Sequence, residues 1–192
     1  MKYLFSIFMS MLMVSAWAIP ENNEEASELS AGDYVQPLVI RDSNDNPVEL
    51  PAFGEKIILI FYSDPEVPKR NAYFVELMKE ARFNDEDNFF SYGVVNMKDA
   101  PFYPNSLIRM GIRREERKNA DQHVKIYTDP KHIIKNNWNL GDVNNEFALV
   151  LVDKDGKVLF KQNKELSKEE AQNLIRLIRK TIDEDRLEAS NL

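Results

Sequence analysis

Ile57 to Tyr62 is a run of six consecutive apolar residues, five of them β-branched or aromatic. A strand with one solvated face alternates polar and apolar side chains. An unbroken run belongs instead to a strand covered on both faces, as in a sheet flanked by helices. Ser91 to Met97 and Glu146 to Asp153, the latter holding Phe147-Ala148-Leu149-Val150-Leu151-Val152, give the same signal. A chain of 192 residues makes one such domain, at most two. Its 43% hydrophobic content is enough for a core.

The intervening segments predict the covering helices. Asp64-Pro65-Glu66-Val67-Pro68 breaks the first run, and Lys69 to Phe83 follows with Phe74, Leu77, Met78 and Ala81 at helical spacing. Pro104 to Lys118 predicts a second helix with a basic C-terminal half. Val124 to Tyr127 is a short strand, and Asp129-Pro130 turns into a third helix over Lys131 to Trp138. Ser167-Lys168-Glu169-Glu170 is a capping box opening a last helix with Ala171, Leu174, Ile175, Ile178 and Ile182 on one face. Hairpins lie at both ends. Gln36 to Arg41 and Pro47 to Leu50 flank the turn-rich Asp42-Ser43-Asn44-Asp45-Asn46, and Asp155-Gly156 joins the last buried run to Lys157 to Lys161. The expected order is β-β-β-α-β-α-β-α-β-β-α, a single α/β domain with a mixed sheet.

The first eighteen residues read as an address. Lys2 is a positive n-region, Leu4 to Val14 is apolar apart from Ser6 and Ser10, and Ala16-Trp17-Ala18 places small residues at a peptidase site. A signal peptide over 1–18, cleaved after Ala18, is expected. A flexible lead-in over 19–31, a domain over 32–186 and a tail over 187–192 follow. No later stretch is long enough to cross a bilayer, so no membrane span is expected after cleavage, and the periplasm is the simplest destination.

Composition removes several chemistries. The chain has no cysteine, which excludes disulfides, thiolate nucleophiles and cysteine-based metal sites. With 25 basic against 32 acidic residues, it lacks the basic footprint of a nucleic-acid binder. His123 and His132 have no metal-ligand spacing. Asp42, Asn44 and Asn46 start like a calcium loop that fails at Pro47 and Phe53. Neither metal nor cofactor is expected, and no nucleophile elbow, phosphate loop or dinucleotide fingerprint is present.

Three stretches carry a resemblance. Gly32-Asp33-Tyr34-Val35-Gln36-Pro37, Ile126-Tyr127-Thr128-Asp129-Pro130 followed by Trp138, and Phe147 to Val158 with Asp-Lys-Asp-Gly-Lys resemble peroxiredoxin-type members of the thioredoxin-like superfamily. Trp138-Asn139-Leu140, the Leu-Val-Leu-Val-Asp-Lys-Asp-Gly strand and turn, and Leu166 to Ile175 resemble the YtfJ family of periplasmic proteins. The resemblance implies a thioredoxin-like three-layer sandwich: a mixed central sheet, an N-terminal β-hairpin extension, and a C-terminal β-hairpin plus helix. It lends little to function.

Thioredoxin-like enzymes carry a nucleophilic cysteine at the mouth of the helix after the central strand, where the dipole favours a thiolate. One register puts Glu66 and Lys69 at the cysteine positions, and the other puts Arg70 there. Both align Pro68 with the family proline, and neither leaves a sulfur. The proline these enzymes carry before the penultimate strand is replaced by Phe147 or Ala148. Asp64 and Glu66 are expected as acids of a helix N-terminus. Arg109, Arg113 and Arg117 recur every four residues, a stripe that could grip a phosphate or an acidic partner or simply face solvent. Phe102, Tyr103 and Trp138, with Pro101 and Pro104, could line a groove or plug a core edge.

The expectation is an exported, redox-inactive thioredoxin-like protein that binds a protein or a small ligand. Asp64, Glu66, Lys69, Arg70, Arg109, Arg113 and Arg117 are the candidate contacts. The partner would be an envelope protein or a small anionic ligand, and no catalytic residue is assigned. The alternatives are a non-thiol enzyme using Asp64 and Glu66, and a structural partner in the cell envelope.

Overall fold

The computed structural model describes residues 27–67, 69–99 and 103–190. The expected signal peptide, Pro68, Pro101 and Phe102 lie outside them. The Ile57 run becomes the third strand of the chain order β1 Val39–Arg41, β2 Pro47–Glu49, β3 Ile57–Ser63, α1 Ala72–Ala81, β4 Phe89–Asn96, α2 Asn105–Lys118, β5 Ile126–Asp129, α3 Ile133–Asn137, β6 Phe147–Val152, β7 Val158–Gln162 and α4 Lys168–Ser190. Across the sheet the order is β2-β1-β5-β4-β3-β6-β7. The strands β3, β4 and β5 are parallel, β6 is antiparallel to β3, and hairpins extend both edges.

The missing alternation in β3 has its expected cause. Ile58, Ile60 and Tyr62 face a core with Val94, Val150, Ile134 and Trp138, closed by Ile40 and Leu50 of the N-terminal hairpin. Ile57 and Leu59 face the opposite core with Leu149 and Leu151, against Phe74 and Met78 of α1 and Leu174, Ile178 and Ile182 of α4. Each such side chain contributes roughly 1.5–3 kcal/mol of transfer free energy. The capping box forms as predicted: the Glu170 amide donates to Ser167 Oγ at 3.2 Å, and the Ser167 amide to Glu170 Oε2 at 2.7 Å. Gly156 turns the last hairpin at φ +81°, where an added Cβ would lie 2.7 Å from the Val35 carbonyl oxygen.

Each parallel strand ends on, or is followed at once by, a buried Asp or Asn that folds the loop after it. Asp64 Oδ1 accepts the Glu66 amide at 2.8 Å and Oδ2 the Asn145 amide at 2.9 Å. Asn96 accepts the Lys98 amide and donates to Asp99. Asp129 accepts the amides of Ile133 at 2.7 Å and Ile134 at 2.9 Å, and the Tyr62 hydroxyl at 3.2 Å. Burial and the neighbouring Asp129 carboxylate push the Tyr62 phenol far above its ordinary pKa. These bonds stiffen the C-terminal edge of the parallel strands, the edge at which α/β sheets bind ligands.

Three boundaries differ from the sequence expectation. The helix expected from Lys69 starts at Ala72, because the amides of Val67, Arg70 and Ala72 each turn back to the carbonyl three residues earlier and Asn71 sits at φ 58°. The strand expected over 124–127 is Ile126–Asp129, set by the pairing of Gly93 with Ile126. The third helix is confined to Ile133–Asn137, entered through His132 at φ 58°. Within the expected lead-in, Leu29 is buried and its amide donates to the Asn139 carbonyl at 2.9 Å.

Candidate functional site

Between α1 and α2 the sheet is left uncovered. The helix α2 has one buried residue, Ile112, and its far side is tied to the loop between β1 and β2. Arg109 pairs with Asp45, and Arg113 Nη1 donates to the Ser43 carbonyl at 2.7 Å. Glu116 accepts from the Ser43 hydroxyl at 3.2 Å and the Ile126 amide at 3.0 Å. On the side towards α1 a cleft of about 1020 Å³ remains. Its floor is Ser91, Gly93 and Val95 of β4 with Ile126 of β5, all only half-buried, whereas Tyr92 and Val94 on the opposite face are closed over. The walls are Val75, Met78 and Phe83 on one side and Leu107, Ile108 and Gly111 on the other. Tyr103 and Leu107 stand at the lip, 52% and 51% exposed.

Two glycines border the cleft with no local need to be glycine. An added Cβ on Gly111 meets nothing within 4 Å, and one on Gly93 makes only an ordinary 3.5 Å contact with Ile126. Neither has the positive φ that favours glycine. A glycine inside a helix costs about 1 kcal/mol relative to alanine, and one inside a strand weakens it. The cleft stays low on its floor and along one wall at a cost in stability.

The cleft opens at Asp64, Pro65, Lys69 and Arg70, in the junction the sequence singles out. Asp64 is fully buried, with both carboxylate oxygens holding amides. Lys69 is exposed at the mouth, and Arg70 is half-buried in an ion pair with Glu146. Glu66 is exposed, and its side chain has no hydrogen-bond partner among the described residues. The expectation of helix N-terminal acids is corrected: the first turn of α1 contains no acidic residue, and Asp64 and Glu66 precede it in the turns. Glu146, just ahead of β6, accepts the Asp64 amide on its carbonyl at 3.3 Å.

The basic stripe does not join this site. Arg109 and Arg113 turn to the β1–β2 loop on the other side of α2, and Arg117 is exposed. Of the two readings of the aromatics, Trp138 follows the core-plug one. Trp138 is 3% exposed in the core of the opposite face, its indole donating to the Gln36 carbonyl at 3.0 Å, while Tyr103 stands at the cleft. His132 Nε2 lies 3.0 Å from Asp99. Burial opposes ionisation of Asp99, but the Asn96 hydrogen bond and the charges of His132 and Lys135 outweigh it and hold the carboxyl below its ordinary value. At the far end of the cleft the Arg82 hydrogen bond, at 2.6 Å, holds Asp85 below the usual carboxylate range. Sequence reasoning missed the cleft itself. The signal available was a glycine in the middle of a predicted strand and another in a predicted helix.

The family described as a bacterial protein of unknown function (YtfJ_HI0045) matches residues 62–181. A protein described as uncharacterized from Haemophilus influenzae is 26% identical over 108 residues, 56% of each chain, so the match spans little more than half of that relative's length. Among solved structures, the C-terminal domain of a putative thiol-disulfide oxidoreductase from Bacteroides thetaiotaomicron superposes with a TM-score of 0.58 at 17% identity, covering 82% of this chain and 99% of that one. A thiol peroxidase from Chromobacterium violaceum gives 0.56 at 9% identity, covering 82% and 90%. Identities this low establish the thioredoxin-like fold and nothing more. The chain belongs to the YtfJ_HI0045 family.

Proposed function

We propose that this thioredoxin-like chain is an exported, redox-inactive protein that acts by binding, with the cleft between α1 and α2 as its binding place. One observation carries the proposal: the cleft opens at the junction where thioredoxin-like enzymes keep their thiol, and the chain holds no cysteine. Thiol–disulfide exchange needs an attacking thiolate and therefore has no agent here. What the fold keeps at that place is room, apolar walls and exposed Lys69. The leader pattern of residues 1–18 supports a periplasmic destination. A carboxylate enzyme is the weaker reading, because Asp64 already accepts an amide on each oxygen and Glu66 stands in solvent.

Cross-linking in intact cells followed by mass spectrometry tests the reading, comparing wild type with Gly111→Leu, which puts a bulky side chain on the bare wall of the cleft. Loss of specific adducts in the variant is expected. Adducts unchanged in pattern and yield would remove the cleft from the function. Catalysed insulin reduction or peroxide turnover by the purified protein would overturn redox inactivity.

A further inference from the structure

We infer that the cleft takes a medium-chain fatty carboxylate, its chain lying along β4 and its carboxylate at the mouth; this rests on the binding reading above. The floor from Ser91 to Val95 is about 13 Å long at strand rise. Ser91, the polar side chain on it, has its hydroxyl bound to Asn84 Oδ1 at 2.9 Å, which leaves an apolar bed. Gly93 below and Gly111 beside that bed let a slim chain approach the backbone, a use of glycine that their own surroundings do not otherwise require.

Charge fixes the direction. Four cations of the lining are spent in ion pairs: Arg70 with Glu146, Lys79 with Glu76, Arg82 with Asp85 and Lys118 with Glu115. Lys69 and Lys125, one at each end, have no ion-pair partner among the described residues. Lys125 lies where α1 and α2 end, so the partial negative charge of two helix C-termini repels an anion there. Lys69 lies where both helices begin. Neither helix has a side-chain cap or an acid in its first turn, and the Asp64 carboxylate ahead of α1 is already held by the Glu66 and Asn145 amides. One unpaired ammonium with two helix starts suits a single carboxylate, in a chain whose net charge of −7 would otherwise repel it.

The test is calorimetric titration of the full chain with dodecanoate and with dodecanol, its uncharged counterpart. Both bind the wild type, dodecanoate more tightly. Lys69→Glu weakens dodecanoate about tenfold and leaves dodecanol unchanged. Gly93→Val and Gly111→Leu abolish binding of both without lowering the Tm, so the loss cannot be ascribed to misfolding. If Lys125→Glu weakens dodecanoate and Lys69→Glu does not, the placement of the carboxylate is overturned. If neither amphiphile binds, the inference fails. The binding reading then survives only if Gly111→Leu still erases the cellular cross-links, which would make an apolar protein segment the occupant.

Discussion

Replacing Gly111 by alanine tests whether the wall of the cleft is as bare as its geometry states. Alanine is favoured over glycine by about 1 kcal/mol in a helix interior, and nothing at this site offsets the gain: the new methyl meets no atom within 4 Å, and the backbone is not in the left-handed region. A gain of about 1 kcal/mol raises the Tm of a domain this size by about 2–4 °C. It moves a urea midpoint by about 0.5 M, for a slope near 2 kcal/mol/M. Gly156→Ala is the control of opposite sign. Its φ of +81° and the Val35 carbonyl oxygen at 2.7 Å admit no side chain, so a loss of about 1–2 kcal/mol or more follows. Differential scanning calorimetry and urea titration on the three proteins read both effects. If Gly111→Ala lowers stability while Gly156→Ala behaves as stated, the inner side of α2 is packed rather than open, and the cleft as described does not exist.

Arg113→Ala removes the bond to the Ser43 carbonyl and is expected to cost about 1.5–3 kcal/mol; hydrogen exchange at residues 42–46 should quicken first, and unchanged protection there would contradict the docking role. Burial of Asp185 opposes its ionisation, but Lys154 and Asn88 outweigh it and hold the carboxyl below its ordinary value. A folded-state pKa below the unfolded one contributes stability at neutral pH, and that contribution is lost as pH falls below about 4 and through the folded value. Urea titrations at pH 7 and pH 3 should therefore show a smaller acid loss for Asp185→Asn than for wild type, and equal losses would refute the assignment.

The fold was legible because its evidence is local. The Ile57 run, the Asp155-Gly156 turn and the Ser167 capping box each state a neighbour relation that survives folding unchanged. The cleft was not legible, because it depends on how far α2 stands from α1, a tertiary distance that no periodicity encodes. The arginine repeat illustrates the difference. Read along the chain, Arg109 and Arg113 form a stripe that invites an anionic ligand. In the fold they are consumed by Asp45 and the Ser43 carbonyl, with Glu116 completing the clasp through the Ser43 hydroxyl and the Ile126 amide. The bonds of Arg109 and Arg113 lie on the far side of α2 from α1 and hold the helix to the hairpin, while Glu116 anchors it to the start of β5. Arg109 and Arg113 brace α2 against the hairpin and are no surface within the cleft. Loosening that clasp should let α2 settle inwards over Gly93, which ties the shape of the binding place to residues that never touch what it holds.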